Sequence, residues 1–141
     1  MINLRLIDYP RNQDLQSTDI KLYRQRVIVA GSRGYTNKLE FHKEIVAYIN
    51  NSQENIIYIS GAASSGADRM IINWCARYKY PCIQVPADWD NEGKSAGFKR
   101  NIKMLELATH LVCFYNGYSP GTSHMISIAS DANIPIRLIN I

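Results

Sequence analysis

The chain has 141 residues, 46% apolar and 20% charged, with 16 Lys+Arg against 12 Asp+Glu. That length is one domain with one real core, and the composition excludes wholesale disorder. The formal charge of +4 suits an anionic partner but is too small to name nucleic acid.

Residues 1–25 stand apart as an N-terminal extension, with the domain proper at 26–141. Ile2-Asn3-Leu4-Arg5-Leu6 alternates as an edge strand does, and 8–25 is polar enough for a linker or an arm. Charges at Arg5 and Asp8 interrupt any signal-peptide core, and no run approaches the ~20 apolar residues of a membrane span. Residues 1–26 hold five basic and three acidic side chains, and residues 27–141 hold eleven and nine. Half of the charge excess therefore lies in residues 1–26.

From Arg26 two patterns alternate. Val27–Ala30, Asn55–Ser60, Cys82–Pro86, His110–Tyr115 and Ile134–Ile139 are short, β-branched-rich runs. They alternate poorly, as strands covered on both faces do. Between them lie helical patterns. Leu39, Ile45, Val46 and Ile49 form a weak stripe after Thr36, a candidate N-cap. Ala67, Met70, Ile71, Trp74, Cys75 and Tyr78 form a clean one, and Ser65 with Asp68 reads as a capping box. Phe98, Ile102, Leu105 and Ala108 give a third stripe. Met125, Ile126, Ala129 and Ala132 give a fourth, after Thr122-Ser123. The order βαβαβαβαβ predicts an α/β domain with about five parallel strands, right-handed crossovers and helices on both faces.

Cys75, Cys82 and Cys113 are odd in number, lack a CxxC pair and fall in apolar stretches. They read as buried reduced thiols, which predicts a reducing, cytoplasmic setting. No metal site and no cofactor is expected, since His42, His110 and His124 are scattered.

The informative glycines close the predicted strands: Gly31-Ser32-Arg33-Gly34, then Gly61 to Arg69, then Ser119-Pro120-Gly121-Thr122-Ser123-His124. In an open parallel sheet the ligand crevice lies beyond these ends, where strand order reverses. If the first and fourth strands are neighbours across that reversal, Ser32-Arg33 and Pro120-Gly121-Thr122 flank one crevice. Glycine lets backbone N–H groups reach a phosphate, helix N-termini add their dipole, and Arg33 and Arg69 supply bidentate donors. Thr122 and Ser123 are equally ordinary N-caps. Gly61-x4-Gly66 is followed by Ala67-Asp68 rather than Lys-Ser/Thr, and no GxGxxG occurs. A Walker-type NTPase and NAD-linked hydride transfer are disfavoured.

The stretch Ala87–Asn101 is a long, polar, aromatic-bearing loop running into a helix. Such loops at strand C-termini are usually functional. Trp89 either stacks on a base or ribose or pins the loop to the body. Lys94, Lys99 and Arg100 suit phosphate contacts, and Asp88 suits ribose hydroxyls.

Five motifs occur in order: Val29-Ala30-Gly31-Ser32-Arg33; Ser60-Gly61-Ala62-Ala63-Ser64-Ser65-Gly66-Ala67-Asp68-Arg69; Pro86-Ala87-Asp88-Trp89; Gly93-Lys94-Ser95-Ala96-Gly97-Phe98-Lys99-Arg100-Asn101; and Ser119 to Met125. Together they resemble the YspA-type, YpsA-related branch of the SLOG superfamily, over about residues 26–140. The resemblance implies a three-layer Rossmann-like open sheet and a pocket for a nucleotide or nucleotide-derived, ADP-ribose-like ligand. It places Gly31, Ser32, Arg33, Gly61, Gly66, Asp68, Arg69, Asp88 and Trp89 beside that ligand, and Lys94, Gly97, Arg100, Asn101, Gly121 and Thr122 with them. The cytokinin-activating phosphoribohydrolases, another SLOG branch, cleave an N-glycosidic bond with an Arg and with a Glu just after a PGGxGT turn. Here Ser123-His124-Met125-Ile126 follows the turn and no Glu stands there. Arg100, with Met104 four residues on, stands where that branch keeps its Arg.

Three readings compete. The first is a binding domain, a sensor or sequestering protein for a nucleotide derivative. The second is a hydrolase of a nucleotide N-glycosidic or phosphate linkage, with Asp88, Glu92, Arg100 and His124 as candidate catalytic residues. The third, single-stranded nucleic-acid binding, is disfavoured but follows from resemblance to a SLOG DNA-processing protein. A nucleotide-like small molecule is the expected partner, with no membrane and with a homodimer as the expected assembly.

Overall fold

The computed structural model describes residues 20–52 and 55–141. The strands are β1 (Gln25–Gly31), β2 (Ile56–Ser60), β3 (Cys82–Gln84), β4 (His110–Tyr115) and β5 (Ile136–Asn140). The helices are α1 (Lys38–Asn50), α2 (Gly66–Tyr78), the single turn α3 (Trp89–Glu92), α4 (Ala96–Leu107) and α5 (Pro120–Asp131). A 3-10 turn at Gly93–Ser95 joins α3 to α4. The Ala87–Asn101 loop is therefore largely helical. The edge strand predicted over Ile2–Leu6 lies outside the described residues.

The strands form one sheet in the order β3-β2-β1-β4-β5, and every neighbouring pair is parallel. Strand periodicity sends alternate side chains to opposite faces. Val27, Val29, Ile56 and Tyr58 join Phe41 and Ile45 of α1 and Ile71, Trp74 and Cys75 of α2 in one core. Ile28, Ala30, Ile57 and Ile59 join Met104 of α4 and Met125 and Ala129 of α5 in the other, together with Ile20 and Tyr23. Each large aliphatic side chain so buried contributes roughly 1.5–3 kcal/mol. This is the predicted α/β architecture, with helices on both faces of a five-stranded parallel sheet. All three cysteines are free and buried. No helix among the described residues is long and apolar enough to cross a membrane.

Four local expectations are corrected. α1 is capped by Asn37, whose Oδ1 accepts from Glu40 N at 3.1 Å, and not by Thr36. Its core-facing side is set by Phe41 and Ile45, which leaves Leu39, about 200° round the helix from Phe41, 65% exposed. The Ser65–Asp68 box does not form. Ser65 Oγ donates to the Arg33 carbonyl at 3.0 Å, and Asp68 Oδ2 accepts from Ala63 N at 3.3 Å. α5 starts at Pro120, with Ser119 as N-cap, two residues before the predicted Thr122. The α4 stripe is split: Leu105 and Ala108 pack against the core, whereas Phe98 is 46% and Ile102 48% exposed. Ala96, Asn101 and Met104 are the buried residues of α4, because its inward side carries polar groups that serve the cleft.

Candidate functional site

β1 and β4 are neighbours, yet β1 connects onward to β2 on its other side, so strand order reverses between them. A crevice must open beyond their carboxyl ends, because the crossover helices leave in opposite directions. A cleft of ≈ 460 Å³ lies there. Of the residues singled out from sequence, Gly31, Arg33, Asp68, Trp89, Lys94, Gly97, Arg100, Asn101, Gly121 and Thr122 line it.

The two loops flanking the reversal are tied together. Ser119 Oγ donates to Ser32 Oγ at 2.9 Å, and Ser32 N donates to the Phe114 carbonyl at 3.1 Å. Asn116 Oδ1 accepts from Tyr118 N at 2.8 Å and Ser119 N at 3.1 Å, which fixes the approach to α5. The Ser119 side chain makes no capping bond to α5. Pro120 brings no N–H, and the N–H groups of Gly121 and Thr122, in the first turn, have no intrahelical acceptor. Thr122 is 6% exposed and lines the cleft, and its hydroxyl has no partner among the described residues. A methyl group added at Gly121 would meet nothing within 4 Å. This helix start is built and left open.

Arg100 comes from α4 and reaches across to β2. Its Nη1 donates to the Gly61 carbonyl and its Nε to Asn101 Oδ1 at 3.2 Å. Asn101 is 4% exposed, and its Nδ2 donates to the Gly121 carbonyl at 3.0 Å. One pair of adjacent side chains thus links α4, the end of β2 and the start of α5. Gly61 is the seat of the guanidinium: a Cβ there would lie 2.5 Å from Arg100 Nη1 and 2.8 Å from Asp68 Oδ2. Gly66 has a different task. It has φ of +72°, and a Cβ would run into the Ser32 carbonyl oxygen. Only glycine lets α2 start this close to the β1 loop.

Asp68 is 9% exposed and faces the cleft. Burial holds its carboxyl above the ordinary carboxylate range, against the opposing pull of Arg100, the Ala63 N–H, Arg33 and Arg69. Burial likewise lowers the Arg100 guanidinium, with Asp68 opposing and Arg33 adding to the effect. It stays cationic, as arginine in proteins does.

Trp89 is 50% exposed, and Gly97 gives its ring room: a Cβ there would sit 3.3 Å from Trp89 Cη2. The Arg33 guanidinium lies 5.9 Å from the Trp89 ring centroid, a cation–π contact across the cleft.

The remaining sequence-selected residues lie behind or beside this cleft. Arg69 braces the β2 loop through the Ala63 carbonyl at 3.2 Å and the Ala62 carbonyl at 3.4 Å. Ser32, Gly61 and Gly66 shape the loops. Asp88 caps α3, accepting from Asn91 N at 3.3 Å and also from Asn91 Nδ2 at 2.9 Å. Glu92 pairs with Lys99 at 3.9 Å. His124 stacks on Phe98, with centroids 4.3 Å apart, and its Nδ1 lies 3.1 Å from Asn101 Nδ2. Burial lowers its pKa, so it is neutral at pH 7. Asp88, Glu92 and His124 are not among the lining residues, whereas Phe98, Met104, Ser119 and Met125 are. Phe98 and Met125 were hidden in helical stripes that read as core. Ser119 carried a signal, as the residue opening a Pro-Gly turn at a strand end.

Comparison with known proteins agrees with this architecture. The chain is 29% identical over 118 residues to the Gene 61 protein of Mycobacterium phage D29, covering 79% of this chain and 94% of that one. Its fold matches DNA processing protein A from Helicobacter pylori, a structure described for its single-stranded DNA binding mode. The TM-score is 0.62 at 16% identity, covering 86% of this chain and 67% of that chain. The fourth and fifth motifs lie beyond the span of the family match. Over residues 25–91, from β1 to the turn that carries Trp89, this chain matches the YspA, cpYpsA-related SLOG family.

Proposed function

We propose that the cleft binds a nucleotide or nucleotide-derived, ADP-ribose-like anion, and that residues 26–141 act as a sensor or sequestering domain with residues 1–25 as an extension whose Ile20 and Tyr23 join the core. The SLOG match supports a nucleotide-related role. The observation that carries the reading is the convergence of Arg33, Arg100 and the uncapped α5 start on one cleft. A phosphate takes the Gly121 and Thr122 N–H groups and the free Thr122 hydroxyl. Arg33 and Arg100 neutralise it. Asp68 accepts from a ribose hydroxyl, and Trp89 stacks on the base. Of the four catalytic candidates Arg100 lines the cleft while Asp88, Glu92 and His124 do not, and an arginine without the acid–base partners proposed for it favours binding without hydrolysis. Calorimetry with AMP, ADP-ribose and ribose 5-phosphate tests this. Binding weakened by Arg100→Ala supports it, and no heat from any of the three with folded protein overturns it.

A second reading, single-stranded nucleic acid, gains from the Helicobacter neighbour, so the earlier expectation against a nucleic-acid partner is weakened. It predicts oligonucleotide affinity that falls steeply with salt. A flat or absent response removes it. The free buried thiols fit a reducing, cytoplasmic setting, and a homodimer is checked by molar mass in solution.

A further inference from the structure

Phe98 is an aromatic ring that the fold does not bury. Its residue is 46% exposed although the α4 stripe reads as core-facing. One ring face stacks on His124, at 4.3 Å and 20°, and Phe98 lines the same cleft as Trp89. The stack is well made for a fixed platform. His124 is held by Asn101, itself anchored to the Gly121 carbonyl, so the pair is braced from below. Burial keeps the imidazole neutral near pH 7, which leaves the stack free of charge.

The cleft therefore carries two half-exposed aromatic platforms, Trp89 beside Gly97 and Phe98 one residue on. The cationic groups of Arg33, Lys94 and Arg100 line the same space. Aromatic platforms combined with cations are how proteins hold successive bases joined by phosphate. A mononucleotide uses one platform and leaves the other open.

We infer that the cleft is a two-base site: its ligand carries two nucleobases bridged by phosphate, one on Trp89 and the second on the Phe98–His124 stack. This rests on the nucleotide reading above and adds the class of ligand. The shared chemistry has two sources, a 3′,5′-linked strand and a free 5′,5′-pyrophosphate-linked dinucleotide.

Calorimetry with AMP, with 3′,5′-linked pApA and with 5′,5′-diadenosine diphosphate tests it. At least one dinucleotide should bind about tenfold more tightly than AMP, the order that one stacked base supplies. Phe98→Ala should abolish that advantage with molar mass unchanged, and Phe98→Tyr should restore it. An advantage confined to pApA identifies a strand, and one confined to the pyrophosphate-linked form identifies a free dinucleotide. AMP binding with no dinucleotide advantage overturns the inference and leaves the nucleotide reading standing. So does a change of molar mass in Phe98→Ala and Ile102→Ala with ligand preference intact, which makes the α4 face a contact between copies. Failure of all three ligands to bind overturns the inference, and failure of ADP-ribose and ribose 5-phosphate as well overturns the nucleotide reading with it.

Discussion

Substituting Gly61 by alanine tests how the cleft holds its central cation. The new Cβ would lie 2.5 Å from Arg100 Nη1, 2.8 Å from Arg100 Cζ and 2.8 Å from Asp68 Oδ2. All three atoms end flexible side chains, so the chain still folds while the guanidinium leaves its seat. The loss is the hydrogen bond from Arg100 to the Gly61 carbonyl, and bonds to charged groups contribute roughly 1.5–3 kcal/mol. Asp68, 9% exposed, also loses its strongest compensating charge. A destabilisation of about 2 kcal/mol follows, or a melting point lower by on the order of 6 °C for a chain of this length. Urea unfolding of a double-mutant cycle gives the sharper measurement. In an Arg100→Ala background no guanidinium is left to displace, so Gly61→Ala should cost less, with only Asp68 Oδ2 left to give way. The coupling between the two sites should be on the order of 1–2 kcal/mol. An equal cost of Gly61→Ala in both backgrounds would refute the assignment of Gly61 as the seat of Arg100.

Gly66→Ala combines φ of +72° with contact against the backbone of Ser32 and Arg33. It should lower unfolding free energy by about 3 kcal/mol, and an unchanged urea midpoint contradicts this. Gly121→Ala meets nothing within 4 Å, so stability should hold within about 0.5 kcal/mol. Its methyl group takes ligand space, and nucleotide affinity should fall about tenfold; unchanged affinity puts the phosphate elsewhere. Asp68 has a folded-state pKa raised by burial, so its contribution to stability is full below the ordinary carboxylate value and is lost as pH rises through the folded value. The stability of the native protein relative to Asp68→Asn should therefore decline upward from about pH 4 and then level off. A difference that is flat with pH in urea titrations refutes that.

Much of the fold was legible because it depends on local pattern. Apolar runs at β1, β2 and β4 and the clean α2 stripe are one-dimensional signals of strands and helices packed on both sides. Helix starts were less legible. Asn37 and Ser119 compete with neighbouring Thr36 and Thr122 of similar chemistry, and the approach of the chain decides between them. α4 misled for a definite reason. Its inward side carries Arg100 and Asn101, so apolar periodicity pointed to Phe98 and Ile102 instead.

The sequence by itself determined the α/β class, the five strands in order and the glycine-marked strand ends, because each rests on neighbours within a few residues. Strand order was outside its reach. Only the tertiary structure set β1 beside β4, which turned distant motifs into one cleft. It also sorted residues of like type. Gly61 seats a guanidinium, Gly66 lets a helix approach a loop, and Gly121 faces open space. Asp68 enters the cleft while Asp88 caps a turn. Charge and residue type are properties of the chain, but what a side chain faces depends on contacts between segments dozens of residues apart.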